Sequence, residues 1–515
     1  MLELPFILTI LFFVMLLVIA AWGMGKTKNI DDFFLGGKTL GPWILAISYG
    51  TAYFSAVVFI GFAGRYGWQC GMKSLLVGVF NALVGGLLAW LVLGYRTRTM
   101  TQRLGAMTMP EFFSKRFDTN GLKIITACIA FLFLIPYSAS VFAGLGYLFE
   151  KVFQIDMNVA ITLITIITGI YVVCGGYKAA ARIDFIQGLI MFVGAVLMTL
   201  FVIRYFGGSE ALSETVARYT ERLDGQTLLP AGQDAIRPIP NLVFWSVVFM
   251  TSLAPWGLPQ MVHKYYAIKD PADIWRGSII ALVFAGVIGC AAYLTGAMTH
   301  LLPQEVLLEA VDKSGQALDM NKLVPLMLVL ALPKWLLALI LILVLSASMS
   351  TLSSLVLVSS SAVGIDLYKG YAARGRSDRH YLWAMRILSA LFILISYLIA
   401  LFNPAWIVPL MSLSWGAVAG SFLSPYLFGL YCRSTTKLGV YAGMWTGLLT
   451  ANGIYWFLFF RYGSSTAGAY SPVAASVAIV LPFLVVPLVS CVTPPVRQET
   501  IARAFGDHDE TTLES

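Results

Sequence analysis

The sequence predicts an all-α membrane protein of thirteen transmembrane helices, two of them discontinuous. Three observations lead there. The chain of 515 residues is 59% hydrophobic and only 12% charged, whereas soluble domains carry about 25% charged residues. Its apolar residues fall in runs of spanning length. Two of those runs are interrupted in mid-course, at matching places in the two halves.

The predicted spans cover residues 4–22, 41–64, 73–95, 122–148, 157–174, 183–205, 241–261, 277–302, 334–361, 382–402, 405–431, 438–460 and 471–492. The first run has no basic leader and no small-residue cleavage pattern, so it is expected to be a retained helix and not a signal peptide. An odd number of spans puts the termini on opposite sides. Most of the 34 Lys and Arg fall on one side, with Arg96, Arg98, Arg103, Lys115, Arg116 and Lys123 in one loop and residues 369–386 in another. The positive-inside rule then predicts the N-terminus outside and the C-terminus cytoplasmic, in a plasma (bacterial inner) membrane. The net charge of +8 is thereby assigned to topology, and no nucleic-acid partner is expected. Six cysteines without metal or disulfide spacing indicate no zinc site, and no metal other than sodium is expected.

The interruptions carry the functional reading. In the second span, Ile47-Ser48-Tyr49-Gly50-Thr51-Ala52-Tyr53-Phe54-Ser55-Ala56 sets polar and small residues at membrane depth. In the seventh, Thr251 to Gln260 adds Pro255, Gly257 and Pro259. Each proline removes a donor and frees a carbonyl, which is tolerated in a bilayer only beside a cavity or ligand. The breaks are five spans apart, and an odd offset reverses the crossing direction, as inverted five-helix repeats require. The ninth span answers them. Residues 345–354 place six hydroxyls in a stretch with no charge from Trp335 to Ile365. Ala347, Ser350, Thr351 and Ser354 share one helical face, with Ser346 and Ser353 on its border. Such a face either packs closely or, with free carbonyls opposite, coordinates a weakly hydrated cation.

These residues resemble the sodium:solute symporters over roughly residues 31–369. The likeness is carried by Asp31-Asp32-Phe33-Phe34-Leu35-Gly36-Gly37, Gly175-Gly176-Tyr177-Lys178-Ala179 with Asp184-Phe185-Ile186-Gln187-Gly188, Trp256-Gly257-Leu258-Pro259-Gln260, and Met349-Ser350-Thr351-Leu352-Ser353-Ser354. The resemblance implies a leucine-transporter fold with spans 2–6 (residues 41–205) and 7–11 (residues 241–431) as inverted repeats. Residues 1–40 form a peripheral span and cytoplasmic loop, 206–240 an extracytoplasmic loop, 432–492 two peripheral spans, and 493–515 a disordered cytoplasmic tail.

The resemblance also places a sodium on the carbonyls of Thr51, Phe54 and Ala347 and the hydroxyls of Ser350 and Thr351. A second sodium, held by some family members, would use Asp184, Ser350, Ser353 and Ser354. Read on its own, Asp184 is either an ion-path acid or an interfacial carboxylate paired with Lys178 or Arg182. The solute contacts expected beside the breaks are Tyr53, Ser55, Ala56, Tyr137, Ser138, Trp256, Ser414 and Trp415. Proline permeases of the family carry an acid where Tyr53 stands and sugar transporters a tyrosine where Pro255 stands, which argues against proline and sugar, while Ala52-Tyr53-Phe54-Ser55-Ala56 and Gly257-Leu258-Pro259 look closer to the pantothenate permease branch. His263 and Lys264 are expected to be solvated at the inner surface, leaving no basic residue at midplane.

The expected function is sodium-coupled import of a small organic solute bearing a carboxylate: pantothenate, a monocarboxylate or an amino acid. Sodium acts as coupling ion with no other cofactor, and lipid is the remaining partner. The alternatives are a proton-coupled transporter or a non-transporting sensor of the same fold. No nucleophile, base and orienter constellation suggests an enzyme.

Overall fold

The computed structural model describes residues 3–24, 41–175, 177–229, 232, 234–236, 238–311, 317–372, 375–402 and 406–506. The Asp31–Gly37 motif lies outside them, as do the side chains of Lys178 and Arg182. The described chain is helical throughout; its one β feature is an isolated bridge between Val311 and Leu318. Among the described residues the predicted apolar runs are helical, apart from terminal residues such as Trp406 and the breaks in the second and seventh. Among the described residues, eight helices can cross a membrane by length and composition, or nine when the bent pair Asn241–Trp256 and Pro259–Tyr266 is taken as one span. Leu4–Val18, Met157–Ile170 and Met320–Ala331 are shorter apolar helices.

Two largely buried helices position the site. Lys334–Ser361 starts directly after Pro333, which has no amide to offer a preceding turn. Its whole hydroxyl stretch from Ser346 to Ser354 is buried. Pro42–Tyr53, the first half of the broken second span, packs against it and against Tyr177–Tyr205 and Asp273–Ala297.

Close approach of backbones fixes the packing of Asp273–Ala297. A Cβ on Gly78 would stand 2.7 Å from the backbone carbon of Gly289, and one on Gly289 would stand 3.0 Å from the Cα of Gly78. Small residues let membrane helices approach to this distance, where dispersion contacts replace the absent hydrophobic drive. Gly289→Val should therefore force the two backbones apart. We expect loss of the monodisperse peak in detergent size-exclusion chromatography, whereas Gly453→Val, at a position open to space, should leave it intact.

The C-terminal segment departs from expectation. Residues 493–506 are ordered, with a helix at Gln498–Phe505. Arg103 Nη1 donates to the carbonyl of Phe505 at 2.6 Å, and the Arg116 guanidinium lies over the Phe505 ring. Burial pushes Arg116 down to about 10. The apolar face of Ile501, Ala504 and Phe505 explains why this short piece folds against the bundle. Segment 207–240 contains an amphipathic helix, Glu210–Leu223.

Candidate functional site

The second-span break arises because its amides are diverted. In a continuous helix the carbonyls of Ala52, Tyr53 and Phe54 would accept from the amides of Ala56, Val57 and Val58. Here Ala56 N donates to Ser348 Oγ at 2.9 Å, Val57 N to Ser55 Oγ at 3.3 Å and Val58 N to the Ser55 carbonyl at 3.0 Å. Phe54 is extended at φ −105°, ψ 132°. Of these, the carbonyls of Ala52 and Phe54 face the hydroxyl helix opposite.

Thr351 Oγ1 lies 3.3 Å from the carbonyl oxygen of Thr51, 3.3 Å from that of Ala52, 3.4 Å from that of Phe54 and 3.0 Å from that of Ala347. A threonine hydroxyl has one hydrogen to give. At least three of these four oxygens are therefore gathered around it without a proton between them. Ser350 Oγ completes the group by donating to Thr51 Oγ1 at 2.8 Å. All five sodium-site residues expected from sequence, Thr51, Phe54, Ala347, Ser350 and Thr351, meet here, in a fully buried place. Ala52 joins them, and Ser348, absent from the expected set, holds the restart of the helix.

The seventh-span break is built by its prolines. Pro255 has no amide for the carbonyl four residues back, Thr251. That carbonyl instead accepts from the Tyr53 phenol at 2.6 Å. The two breaks are thus tied directly to each other. Thr251 Oγ1 and Ser252 Oγ both donate to Asn81 Oδ1, at 2.9 and 3.1 Å, and Trp256 Nε1 donates to the Val84 carbonyl at 3.1 Å. Asn81 was not anticipated, though an Asn inside the apolar run 75–93 is the signal that would have found it. Tyr53→Phe would leave the Thr251 carbonyl buried without its donor. A cost of about 1–3 kcal/mol is expected, read as a lower melting temperature and slower uptake, with sodium affinity little changed.

The remaining expected solute contacts separate into two groups. Tyr53 and Trp256 spend their polar atoms on protein carbonyls and supply walls. Tyr137 faces Ser55 and Thr351 and stacks edge-on to Trp415 at 5.6 Å, which puts it beside the oxygen cluster. Ala56 lies against Gly144. Among the described residues, Ser138 Oγ, Ser414 Oγ and Trp415 Nε1 are buried without hydrogen-bond partners. Buried orphan donors of this kind are costly unless something else satisfies them.

Asp184, Ser353 and Ser354 lie toward the other end of the hydroxyl helix. Asp184 is buried, and the side chains of the two partners considered from sequence, Lys178 and Arg182, lie outside the described residues. Its Oδ2 accepts from Ser48 Oγ at 2.5 Å and faces Lys264 Nζ at 3.4 Å. Lys264 Nζ also donates to Ser48 Oγ at 2.7 Å and Ser354 Oγ at 3.3 Å. Ser353 Oγ donates to the Ser350 carbonyl at 3.0 Å. The expectation of a solvated His263 and Lys264 is overturned, for both are buried, Lys264 at 1% exposure. The short helix Pro259–Tyr266 turns inward after the 40° bend and carries them under the bundle.

Broken helices meeting at a buried, charge-free cluster of oxygens define an ion-dependent membrane transporter. The comparisons agree and go further. The family model "Sodium:solute symporter family" matches residues 33–447. The chain belongs to that family, whose members are transporters and not enzymes. It is 28% identical over 468 residues to an osmoregulated proline transporter of Bacillus subtilis, covering 86% of this chain and 89% of the relative. It is 27% identical over 450 residues to the sodium/proline symporter of Escherichia coli, covering 85% of each. A sodium-coupled sialic acid symporter solved in a substrate-bound, outward-open state shares the fold, with a TM-score of 0.73 at 18% identity, over 96% of this chain and 99% of the other. A nucleobase-cation-symport-1 transporter in a closed conformation gives a TM-score of 0.52 at 14% identity, over 93% and 99%. The leaning toward the pantothenate branch finds no support among these relatives, which are proline transporters.

Proposed function

We propose that this chain is a sodium-coupled secondary active symporter that imports a small carboxylate-bearing solute, with amino acids of the proline type first among candidates. The observation that carries the sodium coupling is the gathering of four carbonyl oxygens around the single proton of Thr351. Neutral oxygens suffice for a weakly hydrated cation when helix breaks hold them in place. An amino acid is favoured over pantothenate or a monocarboxylate because the relatives are proline transporters and the walls are aromatic with few polar groups. Its carboxylate would be met by the bound sodium and by a half-helix N-terminus at a break. Ser138, Ser414 and Trp415 are the groups with hydrogen-bonding capacity left to give to it. Thirteen spans, inverted repeats of residues 41–205 and 241–431, an outer N-terminus and a cytoplasmic C-terminus belong to the same reading. Sodium binding then stabilises one arrangement of the breaks, solute fills the space beside it, and the bundle rocks to release both inside.

Proteoliposomes test this. Labelled proline should accumulate under an imposed sodium gradient and not under a proton gradient alone, with pantothenate and short monocarboxylates as competitors. Accumulation driven by protons in sodium-free buffer would convert the reading to proton coupling. Saturable binding without accumulation under either gradient would convert it to a sensor.

A further inference from the structure

We infer that Lys264 is a tethered cation occupying the place where a second sodium would sit, so that the chain binds one sodium and not two. The inference rests on the sodium-symport reading above and adds a stoichiometry to it. The oxygens concerned come from three separate elements: Ser48 Oγ in the first half of the second span, Asp184 Oδ2 in the Tyr177–Tyr205 helix, and Ser354 Oγ in the hydroxyl helix. One carboxylate with two hydroxyls is an oxygen cage with a single negative charge, the composition that holds a monovalent cation. The ammonium of Lys264 stands inside it, within 3.4 Å of all three oxygens. The fourth element, Pro259–Tyr266, delivers it from the far side of the seventh-span break.

The two cation places share a helix but differ in kind. The oxygens gathered around Thr351 Oγ1 are neutral carbonyls. Around Asp184 the charge is already balanced inside the fold, and a sodium entering there would meet the ammonium in a medium that screens it poorly. Among the described residues, Asp184 Oδ1 is buried without a hydrogen bond. Taking the lysine head away would leave both carboxylate oxygens and the two hydroxyls to an incoming ion. Removing a built-in counter-ion thus converts a filled place into a vacant one.

The experiment counts radioactive sodium bound per purified full-length chain at saturation, for the wild type, Lys264→Ala and the charge-neutral double variant Lys264→Met/Asp184→Asn. The expected counts are one, two and one. The double variant should keep an apparent sodium affinity within about threefold of the wild type, because replacing both members of a buried pair is often nearly neutral. Two sodium ions on the wild type overturn the inference and leave symport standing. So does a single sodium on folded Lys264→Ala. If Lys264→Ala does not fold, the double variant decides: retention of its one sodium supports the inference, and loss shows that Asp184 ligates the coupling ion and overturns it. No sodium on the wild type would remove the symport reading itself.

Discussion

Thr351→Val should lower sodium affinity by roughly 10- to 100-fold and abolish sodium-driven uptake at ordinary sodium concentrations. The valine keeps the side chain's size but withdraws the oxygen that stands within 3.4 Å of four carbonyls. A hydrogen-bonding or coordinating group facing a charge contributes about 1.5–3 kcal/mol, which is that range of affinity. Thr351→Ser keeps the oxygen and should recover most of the binding. Tryptophan fluorescence of purified protein titrated with sodium, potassium and lithium gives the affinities directly. An unchanged sodium response in Thr351→Val would remove the oxygen cluster as the ion site, whatever the uptake assay showed.

The second large effect is on stability. Asp184→Ala strands the Lys264 ammonium in a site with 1% exposure, and breaking a buried pair from one side costs about 3–5 kcal/mol. Thermal unfolding in detergent should show a large drop for Asp184→Ala. Lys264→Met/Asp184→Asn should return most of it, since neither charge is then left alone. A double variant as unstable as the single one would mean that Asp184 is held by something other than its lysine.

Much of this site is readable from sequence because its signals are local. Hydroxyls at helical spacing in a charge-free span announce a polar face at membrane depth, and Pro255, Gly257 and Pro259 announce a break within ten residues. The particular sodium set around Thr351 is what the family resemblance implies for the residues at the second-span break and on the hydroxyl face. What escapes is long-range pairing. Lys264 follows a polar cluster just past a break and looks like the start of a solvated loop; only the bend toward a carboxylate 80 residues earlier makes it a buried ion. The Tyr53 hydrogen bond to Thr251 crosses 198 residues in the same way. The C-terminal helix was overlooked for a different reason. Gln498–Phe505 is too short to announce itself by periodicity, and it is the docking of Phe505 against Arg103 and Arg116 that orders it.

The internal balance of Lys264 against Asp184 has an electrical consequence. An unladen carrier of this kind shuttles no mobile charge at that place, so the membrane potential has little grip on its return. When one sodium travels with a zwitterionic solute, a single elementary charge crosses, and the potential contributes about 2.3 kcal/mol per 100 mV to that half of the cycle alone. On the one-sodium reading the pair is ballast: voltage then drives the loaded carrier inward without holding the empty one there.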